Sequence, residues 1–182
     1  MSLLYKIKNY FTYKEVFTWK YIDLDNELVD EIKDIYLKNL KKDLADYAFF
    51  QILPIKIPNI KGIEVPYAGL VYSAGNTIPK YSHKDPKDHP GSTLALNIPL
   101  INCDNSLTTL YNNLKSPIYT LYNNRISEIA KRSDCKVVTS YTLNRPIIFN
   151  NQVLHAVDNF SPEPRLAISL RFDKNVTSDT FN

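Results

Sequence analysis

The chain has 182 residues, of which 44% are hydrophobic and 23% charged, values typical of one globular domain with a buried core. Its net charge is only +3, and its basic residues are scattered, which argues against a nucleic-acid partner. Two cysteines are too few for a disulfide scaffold, and no apolar run reaches the roughly 18 residues of a membrane span. No pattern typical of a secretory signal is present, so we expect a cytoplasmic protein without a membrane partner.

The first predicted elements are a strand over residues 13–24 and a helix over residues 25–46. Asp25 is placed to cap the helix, and Glu27 falls in the first turn, where the helix dipole favours a negative charge. Apolar residues then recur at helical spacing while charged residues fill the opposite face, so we expect this stripe to pack on the outside of a sheet. The stripe consists of Leu28, Ile32, Ile35, Tyr36, Leu40 and Leu44.

From residue 47 onward the pattern changes to short strand-like segments, punctuated by the chain's 11 prolines. One stretch, residues 117–132, instead predicts a helical or irregular segment, because Pro117 suits a first helical turn and the apolar residues after it are roughly periodic. The predicted strands cover residues 47–53, 68–73, 78–83, 92–100, 107–111, 136–143, 147–150, 153–157 and 165–172.

This succession predicts one mainly β domain with flanking helices over residues 1–182. The expected architecture is a double-stranded β-helix (jelly roll) over about 47–172, preceded by the strand and helix of residues 13–46, with the helix packed on one sheet. A sandwich of the immunoglobulin type is the alternative, although its usual placement of Cys and Trp is missing.

Only three histidines occur, and they are His83, His89 and His155. His83 and Asp85 are two residues apart, so on a strand they point to the same face, and His155 lies in another strand-like segment. Two imidazoles and one carboxylate are the ligand set of non-haem Fe(II) oxygenases, and the same residues also suit Mn(II), Co(II) or Zn(II). A His-x-Asp pair alone is a weak signal, and a surface turn beside Pro86 is the simpler explanation for it. We expect His89 to lie in a solvated loop.

The order of motifs around these residues is more specific. Tyr72-Ser73-Ala74-Gly75 precedes His83, a strand containing Leu96-Asn97 follows Asp85, and Arg165-Leu166-Ala167-Ile168-Ser169 begins ten residues after His155. In this order, residues 67–172 resemble the Fe(II)- and 2-oxoglutarate-dependent oxygenases, particularly the branch with the prolyl hydroxylases and small bacterial or phage members. The chain departs from that pattern in three places. Ala167 stands where many members have Ser, and residues 143–150 lack the Gly-rich turn that is common there. Residues 112–135 form a longer segment than a minimal family core needs.

The resemblance implies a dioxygenase that hydroxylates an unidentified small-molecule or peptide substrate and converts 2-oxoglutarate to succinate. It implies that His83, Asp85 and His155 bind Fe(II). It also implies that Arg165 pairs with the distal carboxylate of 2-oxoglutarate, which the rigid fork of a guanidinium can bind through two hydrogen bonds.

Three further residues are expected near the co-substrate. Tyr72 would donate its hydroxyl to the distal carboxylate, and Asn97 would bond the other end of 2-oxoglutarate or the Asp85 carboxylate. Arg171, six residues after Arg165 and therefore on the same strand face, is the alternative anchor. Arg145 is expected to be a surface charge.

A second function stays open at this point. The chain fits a non-catalytic jelly-roll binding or structural module with a relic metal site. The complete set of three ligands together with Arg165 favours the enzyme, because a relic is expected to have lost at least one of them. Zinc fingers, nucleotide-dependent transferases and serine hydrolases are excluded, since their Cys-x-x-Cys, Gly-rich loop and Gly-x-Ser-x-Gly motifs are missing.

Overall fold

The computed structural model describes residues 17–40, 50–52, 54–86, 93–122 and 125–181. Within these ranges the chain forms one α-helix, α1 (Asn26–Lys38), and twelve β-strands, and no helix has the length and apolarity needed to cross a membrane. The strands are β1 (Trp19–Tyr21), β2 (Phe50–Ile52), β3 (Tyr67–Ser73), β4 (Tyr81–His83), β5 (Leu94–Ile101), β6 (Ser106–Asn113), β7 (Ile118–Tyr122), β8 (Arg125–Lys131), β9 (Cys135–Tyr141), β10 (Ile147–Asn150), β11 (Leu154–Asn159) and β12 (Arg165–Arg171).

The strands form two six-stranded sheets in which every pairing is antiparallel. Sheet 1 has the order β1-β10-β5-β12-β3-β2, and sheet 2 has the order β7-β8-β4-β11-β6-β9. The two sheets face each other, because Phe149 of sheet 1 meets the edge of the His155 ring of sheet 2 at 5.1 Å between ring centroids. The mainly β prediction is therefore confirmed, with two antiparallel sheets and one helix in the described ranges.

Helix α1 covers the outer face of sheet 1, as its apolar stripe predicts. The Asp25 carboxylate accepts a hydrogen bond of 2.8 Å from the Glu27 N–H, which confirms the predicted cap. Residues 41–46 of the predicted helix, including Leu44, lie outside the described residues. The buried helix residues Val29, Ile32 and Tyr36 form one apolar cluster with Leu70, Leu96, Ile148 and Ile168, which come from four strands of sheet 1.

Each predicted strand overlaps an observed one, with differences at the ends. The largest difference is at the first strand, predicted over 13–24 and observed as β1. Residues 13–16 lie outside the described part of the chain, as do 47–49 and 53 around β2. The ends of strands depend on which backbone groups find a partner strand, and a local pattern does not contain that information.

The prediction of a helical or irregular segment over 117–132 is wrong. These residues form the hairpin β7–β8, which pairs with β4 and extends sheet 2 at one edge. Ile118 and Ile126, two members of the roughly periodic set, are exposed, so that spacing does not mark a buried helix face. β-branched and aromatic residues favour strands, and the two periodicities are hard to separate in short runs.

Strand β12 has two buried faces, and all seven of its residues are buried. Ile168 and Leu170 belong to the apolar cluster under α1, and Leu166, the partner of Tyr72, lies on the same face of the strand. The alternate residues therefore point between the two sheets, where three of the four are polar. These interior residues are Arg165, Ala167, Ser169 and Arg171.

The turn before β12 is held against the turn after β3. A Cβ atom at Gly75 would overlap the carbonyl oxygen of Pro162, so this close approach requires glycine. Asn159, which is fully buried, donates its side-chain amide to the carbonyl oxygens of Ala74 and Glu163, each at 3.0 Å. These contacts hold the start of β12, and with it Arg165, at one end of the space between the sheets.

Candidate metal centre

The two histidines of the motif lie side by side on the inner face of sheet 2. His83 ends β4 and His155 is the second residue of β11, and the two are direct partners in the antiparallel register. Their ring centroids are 4.4 Å apart. Partners in such a register have side chains on the same face, so both imidazoles point between the sheets.

Asp85 completes the group from just beyond the end of β4. Its N–H donates to the Asn151 carbonyl at 3.0 Å, and its carbonyl accepts from the Gln152 side-chain amide at 3.2 Å. Its Oδ1 lies 3.9 Å from His83 Nε2 and 3.8 Å from His155 Nε2. One ligand atom from each residue lies within 4.8 Å of the other two, so the predicted convergence of the three side chains is confirmed.

Both imidazoles are arranged to be neutral, which is the form that binds a metal. Burial and, to a lesser extent, nearby His155 lower the pKa of His83 to about 3, while Asp85 opposes the shift. Burial also lowers the pKa of His155, again against Asp85. His155 Nδ1 lies 2.9 Å from the Val153 carbonyl oxygen, which can only accept, so Nδ1 carries the proton and Nε2 keeps its lone pair for a metal.

Arg171 holds the other side of the carboxylate. It is buried at the end of β12, and its Nη2 donates to Asp85 Oδ2 at 2.6 Å. One oxygen of Asp85 therefore faces the histidines while the other is fixed by a guanidinium, an arrangement that orients a metal ligand. Arg171 therefore lies beside the metal ligands, at one end of the space between the sheets. In the sequence, only its shared strand face with Arg165 indicated that it points inward.

Arg165 lies at the opposite end of β12 and is 2% exposed. Its Nε donates to Ser106 Oγ at 2.9 Å. Its Nη1 is buried and has no hydrogen-bond partner among the described residues. A buried cationic nitrogen without an acceptor is costly, so this atom is a donor available to an acceptor from outside the described residues.

More polar atoms without partners line the same space between the sheets. Asn97 of β5 and Ser169 of β12 are direct partners in register, and Asn97 Oδ1 and Ser169 Oγ are both buried without a hydrogen bond to any described residue. The hydroxyl of Tyr141, the last residue of β9, is also buried in this space, beside Thr108. Asn97 thus faces the interior as its predicted role requires. Ser169 and Tyr141 were not among the predicted site residues, because nothing in their local sequence shows which strand face is internal.

The prediction for Tyr72 is wrong. In the β3–β12 register Tyr72 is the partner of Leu166 and Ser73 is the partner of Arg165. Tyr72 therefore packs on the α1 side of sheet 1, within the outer apolar cluster, and its hydroxyl faces away from Arg165. The parity of the strand decides this, since neighbouring residues point to opposite faces.

Arg145 lies away from this centre, at the surface. Arg145 stacks on the Tyr21 ring at 4.1 Å and lies 4.0 Å from Asp23, with more than half of its side chain exposed. This agrees with the expected surface charge. His89 lies outside the described residues.

Comparisons with known proteins give no family. No protein-family model and no curated protein matches the chain. Among solved structures, the chain is similar to AviO1 from Streptomyces viridochromogenes Tue57, with a TM-score of 0.49 and 11% sequence identity over 88% of this chain and 91% of that chain. A similarity of this size says nothing about what this chain binds or does.

Proposed function

We propose that this protein is an Fe(II)- and 2-oxoglutarate-dependent oxygenase built on a jelly roll. In the overall reaction a substrate C–H group, O2 and 2-oxoglutarate give the hydroxylated substrate, succinate and CO2. A small molecule or a peptide is the expected substrate, and a cytoplasmic location remains the expectation.

The order of the strands supports the jelly roll. Strands β3-β12-β5-β10 and β4-β11-β6-β9 form two facing four-stranded sheets, and the chain passes from one sheet to the other at every step except from β6 to β9. Strands β1 and β2 extend sheet 1, and the hairpin β7–β8 extends sheet 2. Such alternation is typical of a double-stranded β-helix and differs from the consecutive hairpins of an immunoglobulin sandwich.

The residues present fit a divalent iron ion. His83, His155 and Asp85 are the two imidazoles and one carboxylate that non-haem iron sites use, and this set leaves positions for other ligands. When bound, the ion would supply the redox chemistry with O2. The protein would hold the three ligands in place, with Arg171 and the Val153 carbonyl fixing two of them, and would keep the reacting groups away from water.

The observation that carries the proposal is Arg165 Nη1. This nitrogen is buried in the same space between the sheets as the histidines and Asp85, and no residue in the described ranges accepts a hydrogen bond from it. A distal carboxylate would satisfy it, while the other end of the same molecule would lie toward the metal ligands. One dicarboxylate co-substrate would therefore bind Arg165 at one end of the space between the sheets and reach the metal ligands at the other.

The alternative, a binding or structural module with a relic metal site, explains less. Structural metal sites are usually closed by four protein ligands, whereas the described residues bring together three. A relic site also gives no reason for Arg165 Nη1, at the other end of β12, to be buried without an acceptor among the described residues.

The test is anaerobic binding of 2-oxoglutarate to Fe(II)-loaded protein. We expect the visible absorption of a 2-oxo acid chelated to iron in the parent, and none in His155→Ala, which lacks one ligand. On admission of O2, the parent should release succinate in the presence of a productive substrate from a panel. No spectral change and no 2-oxoglutarate binding in the iron-loaded parent would rule out the oxygenase and leave the binding module.

A further inference from the structure

Strand β7 forms one edge of sheet 2, and among the described residues it pairs only with β8. A strand at an edge presents backbone N–H and C=O groups that can bind a further strand, and proteins usually protect such edges with short strands, a lysine or a proline. Of the other edge strands, β1 and β2 have three residues each, and β9 contains Lys136. β7 has five residues without a charge or a proline, so its own sequence does nothing to prevent pairing.

The outer face of the β7–β8 hairpin carries a hairpin patch of three exposed apolar side chains. Tyr119 and Leu121 of β7 and Ile126 of β8 are 62%, 73% and 63% exposed. Leu121 and Ile126 are direct partners in register, and Tyr119 is two residues from Leu121, so the three share one face. This face points away from the metal centre, because Ile129, the β8 partner of His83, has the opposite parity to Ile126. Exposed apolar patches of this kind mark interaction surfaces.

The charged residues described beside the hairpin patch are paired within the chain. Glu128, the β8 partner of Tyr119, accepts a hydrogen bond of 2.8 Å from Lys84. Lys115, three residues before β7, lies 2.7 Å from Asp134. These pairs leave little net charge to attract a strongly acidic or basic partner, so the best electrostatic match is another surface without net charge. A second copy of the hairpin is such a surface, and a chain charge of only +3 opposes self-association weakly.

The sequence of β7 is also complementary to itself. When two copies of β7 pair antiparallel about a two-fold axis at Thr120, each Thr120 faces its counterpart and Tyr119 faces Leu121 of the second copy. An aromatic ring opposite an aliphatic side chain is a favourable cross-strand pair, and no like charges meet. The two hairpin patches then form one apolar surface across four strands. Such a contact covers on the order of 1,000 Å² in total, the lower limit for a specific interface, which predicts a reversible dimer.

We propose that β7 is a self-association edge, through which two copies of the chain join their six-stranded second sheets into one continuous sheet. A second copy fits this edge better than an extended peptide does, because it supplies both a pairing strand and the neighbouring strand that carries Ile126. The inference does not depend on the proposed function, since the hairpin patch faces away from the metal ligands.

The test is the mass of the 182-residue chain in solution, measured by analytical ultracentrifugation from about 1 μM to about 100 μM, the range that suits a small interface. We expect a concentration-dependent rise from 21.0 kDa toward twice that mass. Leu121→Lys brings two like charges close together across the axis, so dimerisation should weaken at least about tenfold. The matched control Val137→Lys puts the same charge at an exposed position of β9, the opposite edge strand, and should dimerise as the parent does.

A mixture of Leu121→Lys and Leu121→Glu separates a direct contact from a general disturbance of the hairpin. Each variant alone should be monomeric at the concentration where the parent is half dimeric. The mixture should associate again, because unlike charges then meet across the axis. Circular dichroism of the single variants should match the parent, since Leu121 is exposed in the monomer.

A parent that stays monomeric over the whole range would overturn the inference and leave the edge to another polypeptide or to none. A dimer that Leu121→Lys does not weaken, or that Val137→Lys weakens equally, would place the contact elsewhere and overturn it too. A mixture that does not associate would show that the two β7 strands do not meet. None of these outcomes bears on the oxygenase proposal, which is tested by binding of iron and 2-oxoglutarate.

Discussion

At the residue scale, the two oxygens of Asp85 have different tasks. Oδ1 faces the two imidazoles, and Oδ2 accepts a hydrogen bond of 2.6 Å from Arg171. This division orients the carboxylate for one-oxygen binding of a metal and provides a countercharge when no metal is present. The same arrangement makes Arg171 a positioning residue for the metal centre.

Asp85→Asn should abolish tight iron binding while keeping the fold. The amide retains an acceptor for Arg171 but loses the charge that attracts the ion, so we expect a loss greater than the tenfold to hundredfold typical of outer-shell changes. Iron stoichiometry after dialysis, with circular dichroism for folding, measures this. Asp104→Ala, at an exposed site, is the control. Full iron occupancy in Asp85→Asn would show that the carboxylate is not a ligand.

Arg165→Ala should leave iron bound and weaken 2-oxoglutarate binding by about 2–5 kcal/mol, the usual cost of removing one partner of a desolvated charge pair. Lys at this position should recover only part of the loss, because an ammonium lacks the fork. Titration with 2-oxoglutarate under nitrogen checks both variants, and surface Arg145→Ala serves as the control.

Arg171→Ala should behave differently from Arg165→Ala. It removes the partner of Asp85 Oδ2, so we expect iron affinity to fall about tenfold to a hundredfold. Equal effects of the two arginine variants on iron would mean that β12 as a whole had been disturbed.

At the element scale, α1 is a cover for sheet 1, and its contribution lies in burial. Ile32 and Tyr36 are fully buried against the outer cluster, whereas Leu37 of the same helix is 48% exposed. Helical propensity contributes little to a helix of 13 residues without such packing.

Ile32→Asp should therefore unfold the protein or nearly so, because a charge placed in an apolar site without a partner costs several kcal/mol. Leu37→Asp puts the same charge on the same helix at an exposed position and should change stability by about 0.5 kcal/mol or less. Urea denaturation of both variants measures the difference. Similar midpoints would show that α1 does not pack on sheet 1.

At the scale of the whole molecule, two neutral histidines inside the protein make the metal-free state sensitive to acid. The pKa of His83 is lowered from 6.5 to about 3, and that of His155 is also lowered. Between these values the unfolded chain binds more protons than the folded one, so the free energy of unfolding falls as the pH decreases from about 6.5 toward 3.

Each histidine can contribute a slope of at most about 1.4 kcal/mol per pH unit. Urea denaturation of chelator-treated protein at several pH values between 4 and 7 measures the total slope. His83→Gln should have a smaller slope than the parent, because one of the two groups is gone. Identical slopes would show that His83 is protonated as easily in the folded as in the unfolded chain.

Much of the element order and of the metal centre was determined by the sequence itself. Alternating apolar and polar residues and proline turns predicted the strands, and the position of Asp25 before the apolar stripe predicted the helix cap. His83 and Asp85 share a short segment whose parity predicts a common face, and that local rule held. Local rules succeed here because backbone geometry and side-chain parity act over a few residues.

Only the tertiary structure decided which faces are internal and which distant residues meet. Sheet 1 is buried on both faces, so the aromatic character of Tyr72 in β3 does not reveal that it lies on the α1 side rather than near Arg165. The bond between Asp85 and Arg171 joins residues 86 positions apart, and no local pattern contains it. Over residues 117–132, where periodicity was ambiguous, pairing of β8 with the edge of β4 selected a hairpin. Pairing and burial are decided by long-range contacts, which the sequence encodes only through the completed fold.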